Sequence, residues 1–318
     1  MQTSGPTNVA GRRVARSDSG SRLSDWVLTF RCPVHNRDTV CAQFWADPPT
    51  PRAALRVQVR LTAPPAHASP ASMKKFLILQ LRSETEAADD EFQAFLDKGG
   101  LMPEAVHRIR LDQQDLPGTL DLRDFAGVIV GGGPGCVSDP EDTKDPVEKR
   151  IETEIMGLMP EICDRDMPFL GCCYGIGILG HHLSPGIVSK ENYSEPVGAV
   201  DCWLTEAGRA DPLLEGVPDS FRAFVGHKEA VQDLPPGTTR LVASDPAPYQ
   251  MLRHGKNVYA TQFHPEADVA GFETRIRIYK HKGYFPPEAA DALIAEVRQQ
   301  DVRFPEVILR NFVARYGG

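Results

Sequence analysis

The segment Pro168-Phe169-Leu170-Gly171-Cys172-Cys173-Tyr174-Gly175-Ile176-Gly177 sets a cysteine between two glycines, each two residues away. An apolar run followed by Gly-x-Cys-x-Gly reads as a strand, a sharp turn and the start of a helix. Cys173 then stands at the apex, where a nucleophile elbow holds its reactive residue. The reason is steric: a nucleophile on a strained turn needs flanking residues without side chains, so that strand and helix can approach. A helix N-terminus also offers positive potential and free N–H groups, which lower a thiol pKa and favour the thiolate. The bland alternative is a buried free cysteine, a common core residue. That reading is given to Cys172, which precedes the apex and points back into strand–helix packing.

Two other segments carry residues suited to the same chemistry. Tyr259-Ala260-Thr261-Gln262-Phe263-His264-Pro265-Glu266 predicts a strand whose end bears His and Glu two apart. In extended backbone, i and i+2 share a side, and Pro265 biases His264 towards that geometry. The carboxylate can then bond one imidazole nitrogen and leave the other for a thiol, as base and orienter. Gly131-Gly132-Gly133-Pro134-Gly135 follows an apolar run and reads in two ways. As a phosphate loop it lacks both Gly-Lys-Ser/Thr and the G-x-G-x-x-G spacing. As an oxyanion hole, a backbone N–H here would join that of Tyr174 around a tetrahedral oxygen. Of the remaining histidines only His227, in "FVGHKEAV", is a candidate site neighbour; the others default to ordinary satisfied residues.

The elements that must position these groups alternate. Lys74 to Arg82 reads as a buried parallel strand. Ala88, Phe92, Phe95 and Leu96 form an amphipathic stripe that Gly99-Gly100 stops. Val106 to Leu111 and Phe125 to Gly133 predict two more strands. Asp145-Pro146-Val147-Glu148 has the N-cap, first-position proline and capping-box return of a helix start. Val147, Ile151, Ile155, Leu158, Met159 and Ile162 continue it as an apolar face, and Met167 to Gly171 is the next strand. Strand and helix in alternation predict an α/β fold, a parallel sheet covered on both faces. Chemistry in such folds lies beyond the carboxyl ends of the strands.

With a Gly-Gly-Pro loop, then the elbow cysteine, then a distant His-Pro-Glu, the chain resembles the class I glutamine amidotransferases, in particular the glutaminase part of GMP synthase and its stand-alone relatives. "FVGHKEAV" and "YATQFHPE" read like segments of that family, and the resemblance covers residues 74–268. It implies a flavodoxin-like, doubly wound, mostly parallel sheet with helices on both faces. It implies Cys173 as nucleophile, His264 as general base, Glu266 as its orienter, and backbone N–H groups of Gly133 and Tyr174 as the oxyanion hole. The implied reaction is attack on the γ-carbonyl of glutamine, a glutamyl thioester, ammonia release and hydrolysis. Gly135, Gly177 and His227 are candidate substrate-binding positions. Gly177 departs from the family, whose elbow usually reads G-x-C-x-G-x-Q with a glutamine that helps hold substrate. A γ-glutamyl peptide or conjugate hydrolase is therefore the alternative enzyme, and a non-catalytic regulatory or binding module the alternative from another class.

After Glu266 the sequence leaves no room for a synthase domain. Residues 271–318 predict helices at Phe272 to Tyr279, Pro287 to Gln300 and Pro305 to Tyr316, an extension packed on a domain of residues 73–270. Ala290, Leu293, Ile294 and Val297 give the second helix a core-docking stripe. The expected partners are a small molecule, glutamine or another γ-glutamyl compound, and a separate ammonia-accepting synthase subunit. No metal cluster or nucleotide motif stands out, so no cofactor and no metal are expected.

Composition narrows the remainder. With 41% hydrophobic residues the chain can build a core, which excludes a wholly disordered polymer. No apolar run reaches about 18 residues, so no membrane span is expected. Residues 1–72 hold nine arginines, no lysine and four aspartates, a net +5; the total of −8 leaves −13 for the rest. So acidic a body is a poor nucleic-acid binder. Eight of the 27 prolines also fall in residues 1–72. That segment reads as a disordered extension or as sequence upstream of a start at Met73, with a transit peptide or small accessory domain as alternatives. Its strand-like pieces, Trp26 to Phe30 and Leu55 to Leu61, have no obvious pairing partner. The seven cysteines lack the spacing of a disulfide framework, so a reducing cytoplasm is the expected compartment.

Overall fold

Most residues of the first strands are buried, and their side chains enter by turns two cores, one on each face of a sheet. The computed structural model describes residues 27–29, 41–43, 74–193 and 195–318. Strands β1 (Val27–Thr29) and β2 (Cys41–Gln43) pair antiparallel, so the first strand-like piece does have a partner. The other expectations for residues 1–72 lie outside the described residues.

Ser72–Gly318 is one compact unit. Strands β3 (Lys75–Gln80), β4 (Val106–Arg110), β5 (Phe125–Val130) and β6 (Phe169–Cys172) appear where the apolar runs predict them. Helix α1 (Thr85–Gly99) follows β3 and ends at Gly100, whose φ of 67° is the left-handed stop that glycine accepts readily. Helix α2 (Pro146–Asp164) starts with the complete capping box: Asp145 accepts from the N–H groups of Val147 and Glu148, and Glu148 returns to the Asp145 N–H. Helix α3 (Tyr174–Leu183) follows β6.

After a short pair of strands, β7 (Val188–Ser189) with β10 (Ala230–Val231), the sheet gains β8 (Gly198–Leu204), β9 (Ser220–Val225), β11 (Thr238–Ala243), β12 (Met251–His254) and β13 (Val258–Thr261). The nine-stranded order is β4-β3-β5-β6-β13-β12-β11-β8-β9. The first five strands are mutually parallel, and the last four extend the sheet by antiparallel pairing. The antiparallel wing is absent from the sequence reading, because its strands mix polar with apolar residues, β8 alternating buried with exposed ones, and show no continuous apolar run.

Phe76 and Ile78 of β3 face the core formed with Phe95 and Leu96 of α1. The same core holds Ile308, Leu309 and Phe312 of a C-terminal helix, Pro305–Tyr316. Leu77 and Leu79 face the opposite core, with Ile151, Ile155 and Met159 of α2 and Ile176 and Leu179 of α3. The fold is thus α/β and doubly wound, as expected. Val147 departs from its predicted apolar face: at the second helical position it lies before the helix reaches the sheet and is 38% exposed. Two further helices, α5 (Val269–Ile278) and α6 (Ala290–Val297), pack Phe272, Ile276, Ala290, Ile294 and Val297 around Phe224 in a third cluster. The short helix Glu206–Arg209 is α4 and Pro305–Tyr316 is α7. Among the described residues no helix is long and apolar enough to cross a membrane.

The β6–α3 junction refines the steric reading of the elbow. A Cβ on Gly171 would stand 2.9 Å from the Gly175 backbone, so a bare Gly171 is required. A Cβ on Gly175 would meet nothing nearer than Val130 at 3.8 Å, an ordinary contact, so only one of the two flanking glycines is demanded by space. Gly171→Ala is expected to lower the unfolding free energy by roughly 1–3 kcal/mol, the usual cost of overpacking. Gly175→Ala should stay within about 1 kcal/mol, the helix-propensity difference. Denaturant unfolding of both variants checks this, and equal losses would contradict the steric account.

Candidate active site

Cys173 sits between β6 and α3 with φ 54° and ψ −90°, a conformation that a non-glycine residue holds only when its surroundings impose it. The imposing contact is its own N–H, which donates to the Thr261 carbonyl at 2.7 Å. Thr261 ends β13, the parallel neighbour of β6, so the elbow is tied to the strand that leads to His264. Cys172 is fully buried in the core shared with α1 and α7, as its assignment to packing expects.

His264 and Glu266 come together, but not by the route expected. Strand β13 stops at Thr261, and the chain then turns, with the Ala267 N–H donating to the His264 carbonyl at 3.3 Å. The pairing therefore arises in a turn past the strand rather than from extended i, i+2 geometry. His264 is fixed there because its N–H donates to the Phe224 carbonyl at the end of β9, 3.1 Å away. Its Nδ1 lies 2.8 Å from Glu266 Oε1. Arg275 of α5 stands 3.0 Å from the same oxygen, and all three side chains are buried. Burial opposes ionisation of Glu266, yet His264 and Arg275 hold its carboxyl well below the usual carboxylate range. An ionised carboxylate only accepts, so Nδ1 carries the proton and Nε2 is left as a base. Burial lowers the His264 pKa, with Glu266 pulling it back and Arg275 and Arg82 adding to the fall, so the ring is neutral near pH 7.

The glycine loop reaches the same place. The Gly131 N–H continues the sheet to the Leu79 carbonyl at 2.9 Å, and the Gly132 N–H donates to Glu91 Oε1 at 3.2 Å. A Cβ on Gly132 would stand 2.5 Å from His264 Cε1 and 2.7 Å from an Arg82 nitrogen. The loop is bare because the imidazole and a guanidinium pack against it, which a phosphate cradle would not require. Gly133 and Tyr174 both line a cavity of about 350 Å³ with Cys173. Among the described residues neither of their N–H groups has an acceptor.

Cys173 stands between two cavities. The first, just mentioned, runs along the start of α3 past Gly135, Gly177, His227 and Glu229. Gly135 and Gly177, the candidate substrate-binding positions, both line it. His227 lines it too, but both its ring nitrogens are engaged, Nδ1 with the Glu229 carbonyl and Nε2 with buried Glu195, each at 2.8 Å. It braces the cavity wall and has no ring nitrogen left for a ligand. The second cavity, about 420 Å³, holds His264, Arg82 and Arg275.

The thiol contradicts one expectation. Burial pushes Cys173 up to about 12, with Arg82 opposing, so the helix N-terminus does not leave a standing thiolate. The residue is only 8% exposed, and the desolvation of sulfur outweighs the helix field. What the arrangement can do is transfer the thiol proton to a neutral imidazole as sulfur attacks a carbonyl held at the loop and elbow N–H groups.

Arg82, Glu91, Arg275 and Glu229 are parts of the site that sequence reasoning missed. Glu91 lies three residues after Ala88 and four before Phe95, on the buried stripe of α1; Arg275 lies three after Phe272 in α5. A charge on an apolar face was the available signal. The donor atoms of Glu91, His264 and Glu266 lie within 4.8 Å of one another, as metal ligands can. Arg82 Nε at 2.8 Å from Glu91 and Arg275 beside Glu266 already meet those carboxylates' charge, so the cluster fits an ion-pair network better than a cation.

The sequence profile described as "Glutamine amidotransferase class-I" matches residues 103–277. The chain is 31% identical over 152 residues to GMP synthase [glutamine-hydrolyzing] of Thermosipho africanus, a stretch that is 48% of this chain and 26% of that protein. It is 29% identical over 148 residues to the same-named protein of Wolinella succinogenes, covering 46% and 26% respectively. The match thus spans about a quarter of these relatives' length. In fold the chain is similar to a glutamine amidotransferase of Thermotoga maritima, with a TM-score of 0.60 at 20% identity over 77% of this chain and 98% of the other. A glutamine amidotransferase of Methylobacillus flagellatus gives 0.56 at 19% identity, covering 76% and 95%.

Because burial raises every cysteine thiol among the described residues for which a shift is found, Cys173 included, a simple alkylating agent should not single out Cys173. Iodoacetamide near pH 8 is expected to modify half-buried Cys163, held at about 11 by burial, before Cys173. A γ-glutamyl-shaped electrophile should reverse that order. Peptide mapping by mass spectrometry gives the comparison, and preferential iodoacetamide labelling of Cys173 would contradict the protonated resting thiol.

Proposed function

The chain belongs to the class I glutamine amidotransferase family, and we propose that it hydrolyses a γ-glutamyl amide, glutamine being the simplest, through a glutamyl thioester on Cys173. The supporting observation is the strained Cys173 sharing a cavity with His264, whose Nδ1 is held by Glu266 at 2.8 Å. In this reading Cys173, His264 and Glu266 are nucleophile, general base and orienter. The thiol attacks the γ-carbonyl carbon while His264 Nε2 takes its proton. The N–H groups of Gly133 and Tyr174 hold the oxyanion. Collapse breaks the C–N bond as His264 gives its proton to the leaving nitrogen. Water, deprotonated by the same imidazole, then cleaves the thioester and restores the thiol.

The glutamyl part occupies the cavity along α3. At the elbow position where the family usually has glutamine, Gly177 has no polar group of its own. A Cβ there would stand 3.1 Å from Glu229 Oε1, so a carboxylate from the "GHKEAV" segment fills the neighbourhood instead. This favours, as the second reading, a γ-glutamyl peptide or conjugate hydrolase, in which the altered pocket accompanies a substrate other than glutamine. If glutamine is the substrate, the ammonia passes to a separate synthase subunit. The five cysteines free among the described residues suit a reducing, cytoplasmic setting.

Glutamine hydrolysis should be measurable as ammonia release that Cys173→Ala abolishes and His264→Ala lowers by at least about a hundredfold, the usual contribution of a general base. Because the His264 pKa is lowered, the base stays neutral to lower pH. The acid limb of kcat/KM should therefore fall below the ordinary histidine value of about 6.5. A pH profile checks the sign: an acid limb at or above that value, or turnover that survives Cys173→Ala, would defeat the assignment.

A further inference from the structure

A glutaminase needs room on its leaving-group side for one nitrogen, yet beside Cys173 a second cavity opens towards solvent, about 420 Å³ with that open space included, and its lining runs from Arg82 and His264 to Phe285. The chemistry decides which side is which. His264 must face the departing nitrogen in order to protonate it, and His264 lines this second cavity and not the one along α3. The cavity's far wall is aromatic: Phe272, Tyr279, Tyr284 and Phe285 line it. Three of these, from Tyr279 onward, lie beyond residue 277, where the family match ends. Tyr284 also lines the glutamyl cavity, so it stands at the junction of the two.

Two guanidinium groups line the same space. Arg275 is 5% exposed, and its charge is met by Glu266 at 3.0 Å. Even so, none of its N–H groups makes a directed hydrogen bond among the described residues. Arg82 places Nε on Glu91 at 2.8 Å and one terminal nitrogen on the Tyr279 hydroxyl at 3.2 Å, and its second terminal nitrogen has no acceptor among the described residues. Buried donors without acceptors are costly and are normally matched by some group. A ligand carboxylate would match them, and aromatic walls would suit a ring.

We propose that this second cavity is a leaving-group site and that the substrate is a γ-glutamyl amide whose nitrogen carries an aromatic group and a carboxylate, as in a γ-glutamyl aromatic amino acid. The inference rests on the γ-glutamyl thioester reading above and names the class of amine released. The bond balance is that of the same reaction. Sulfur bonds the γ-carbon, the C–N bond breaks, and the thiol proton leaves on the amino group of the aromatic amino acid by way of His264. Water then releases glutamate, and no oxidant, reductant or co-reactant enters.

The test ranks kcat/KM for five compounds on the full chain: glutamine, γ-glutamyl-methylamide, γ-glutamylglycine, γ-glutamyl-phenethylamine and γ-glutamylphenylalanine. The last, with both ring and carboxylate, should exceed each of the others at least tenfold. Arg275→Met should narrow the gap between γ-glutamylphenylalanine and γ-glutamyl-phenethylamine, which differ only in the carboxylate. The ranking on the unaltered chain stands without that variant. Glutamine hydrolysed as fast as any compound, with larger amides rejected, would mark the cavity as an exit for ammonia and overturn the proposal while leaving the thioester chemistry intact. If no compound is turned over, calorimetry with free phenylalanine decides. Binding to the unaltered protein would uphold the aromatic site and leave the thioester reading as the one that failed; its absence would overturn the site as well.

Discussion

The parallel register of β6 and β13 is the constraint on which the site depends. It sets Thr261 opposite Cys172, so that the next residue, Cys173, can donate its N–H to the Thr261 carbonyl at 2.7 Å. That bond holds the cysteine at positive φ, at the start of α3, while the chain continues three residues from Thr261 to His264. Cys173 and His264 are thus fixed by one ladder rather than by two independent loops. A one-residue slip would turn each strand's side chains to the opposite face and separate the pair. The steric demand at Gly171, whose absent Cβ lets the Gly175 backbone approach, serves the same junction from the helix side.

Around that ladder the protein buries charge in pairs. Arg82 meets Glu91, and Arg275 meets Glu266, all four out of water. Such pairs are poor sources of stability, because desolvating two ions costs about what their attraction returns. Removing one member is different, since an uncompensated buried charge costs about 3–5 kcal/mol. The value of the arrangement is positional. Glu91 takes the Gly132 N–H, Gln80 and Arg82 together, and so ties the glycine loop to α1 and the end of β3. Arg275 ties Glu266, and through it the imidazole, to α5. The loop, the base and the C-terminal helices are linked by ion pairs that can be satisfied only in one arrangement.

What was legible in the residues follows from the range of the interactions involved. The parallel strands and their helices were readable because local rules specify them: an apolar run, a capping box at Asp145, a glycine stop at Gly100. Cys173 was readable because the elbow is a contiguous motif with a steric cause, and His264 and Glu266 because they are two apart. The antiparallel wing was not, since each of its strands is broken by polar residues and none shows the continuous apolar run that marks the parallel strands. The reverse turn that joins His264 to Glu266 was missed for a related reason. It depends on the Phe224 carbonyl, some forty residues earlier, and extended geometry happened to predict the same contact. Glu91 and Arg275 were visible only as charges on apolar faces and Arg82 only as the charge that ends the first apolar run, and such a charge does not say which partner it meets.

The protonation states tie these observations to chemistry. Sulfur is held up near 12 by burial, while the imidazole beside it is held down by burial, so the resting pair is neutral on both sides. Proton transfer between them is uphill at rest, because burial disfavours the thiolate it would create by more than Arg82 favours it. Attack on a carbonyl changes the balance, since the charge then appears on oxygen, where the free N–H groups of the loop and elbow can reach it, rather than on sulfur. The imidazolium formed in the same step sits on an ionised Glu266. On the thioester reading, burial that makes the free thiol inert favours a reaction in which proton transfer and carbon–sulfur bond formation occur together, and it restricts that reaction to molecules that place an electrophilic carbonyl between Cys173 and the glycine loop.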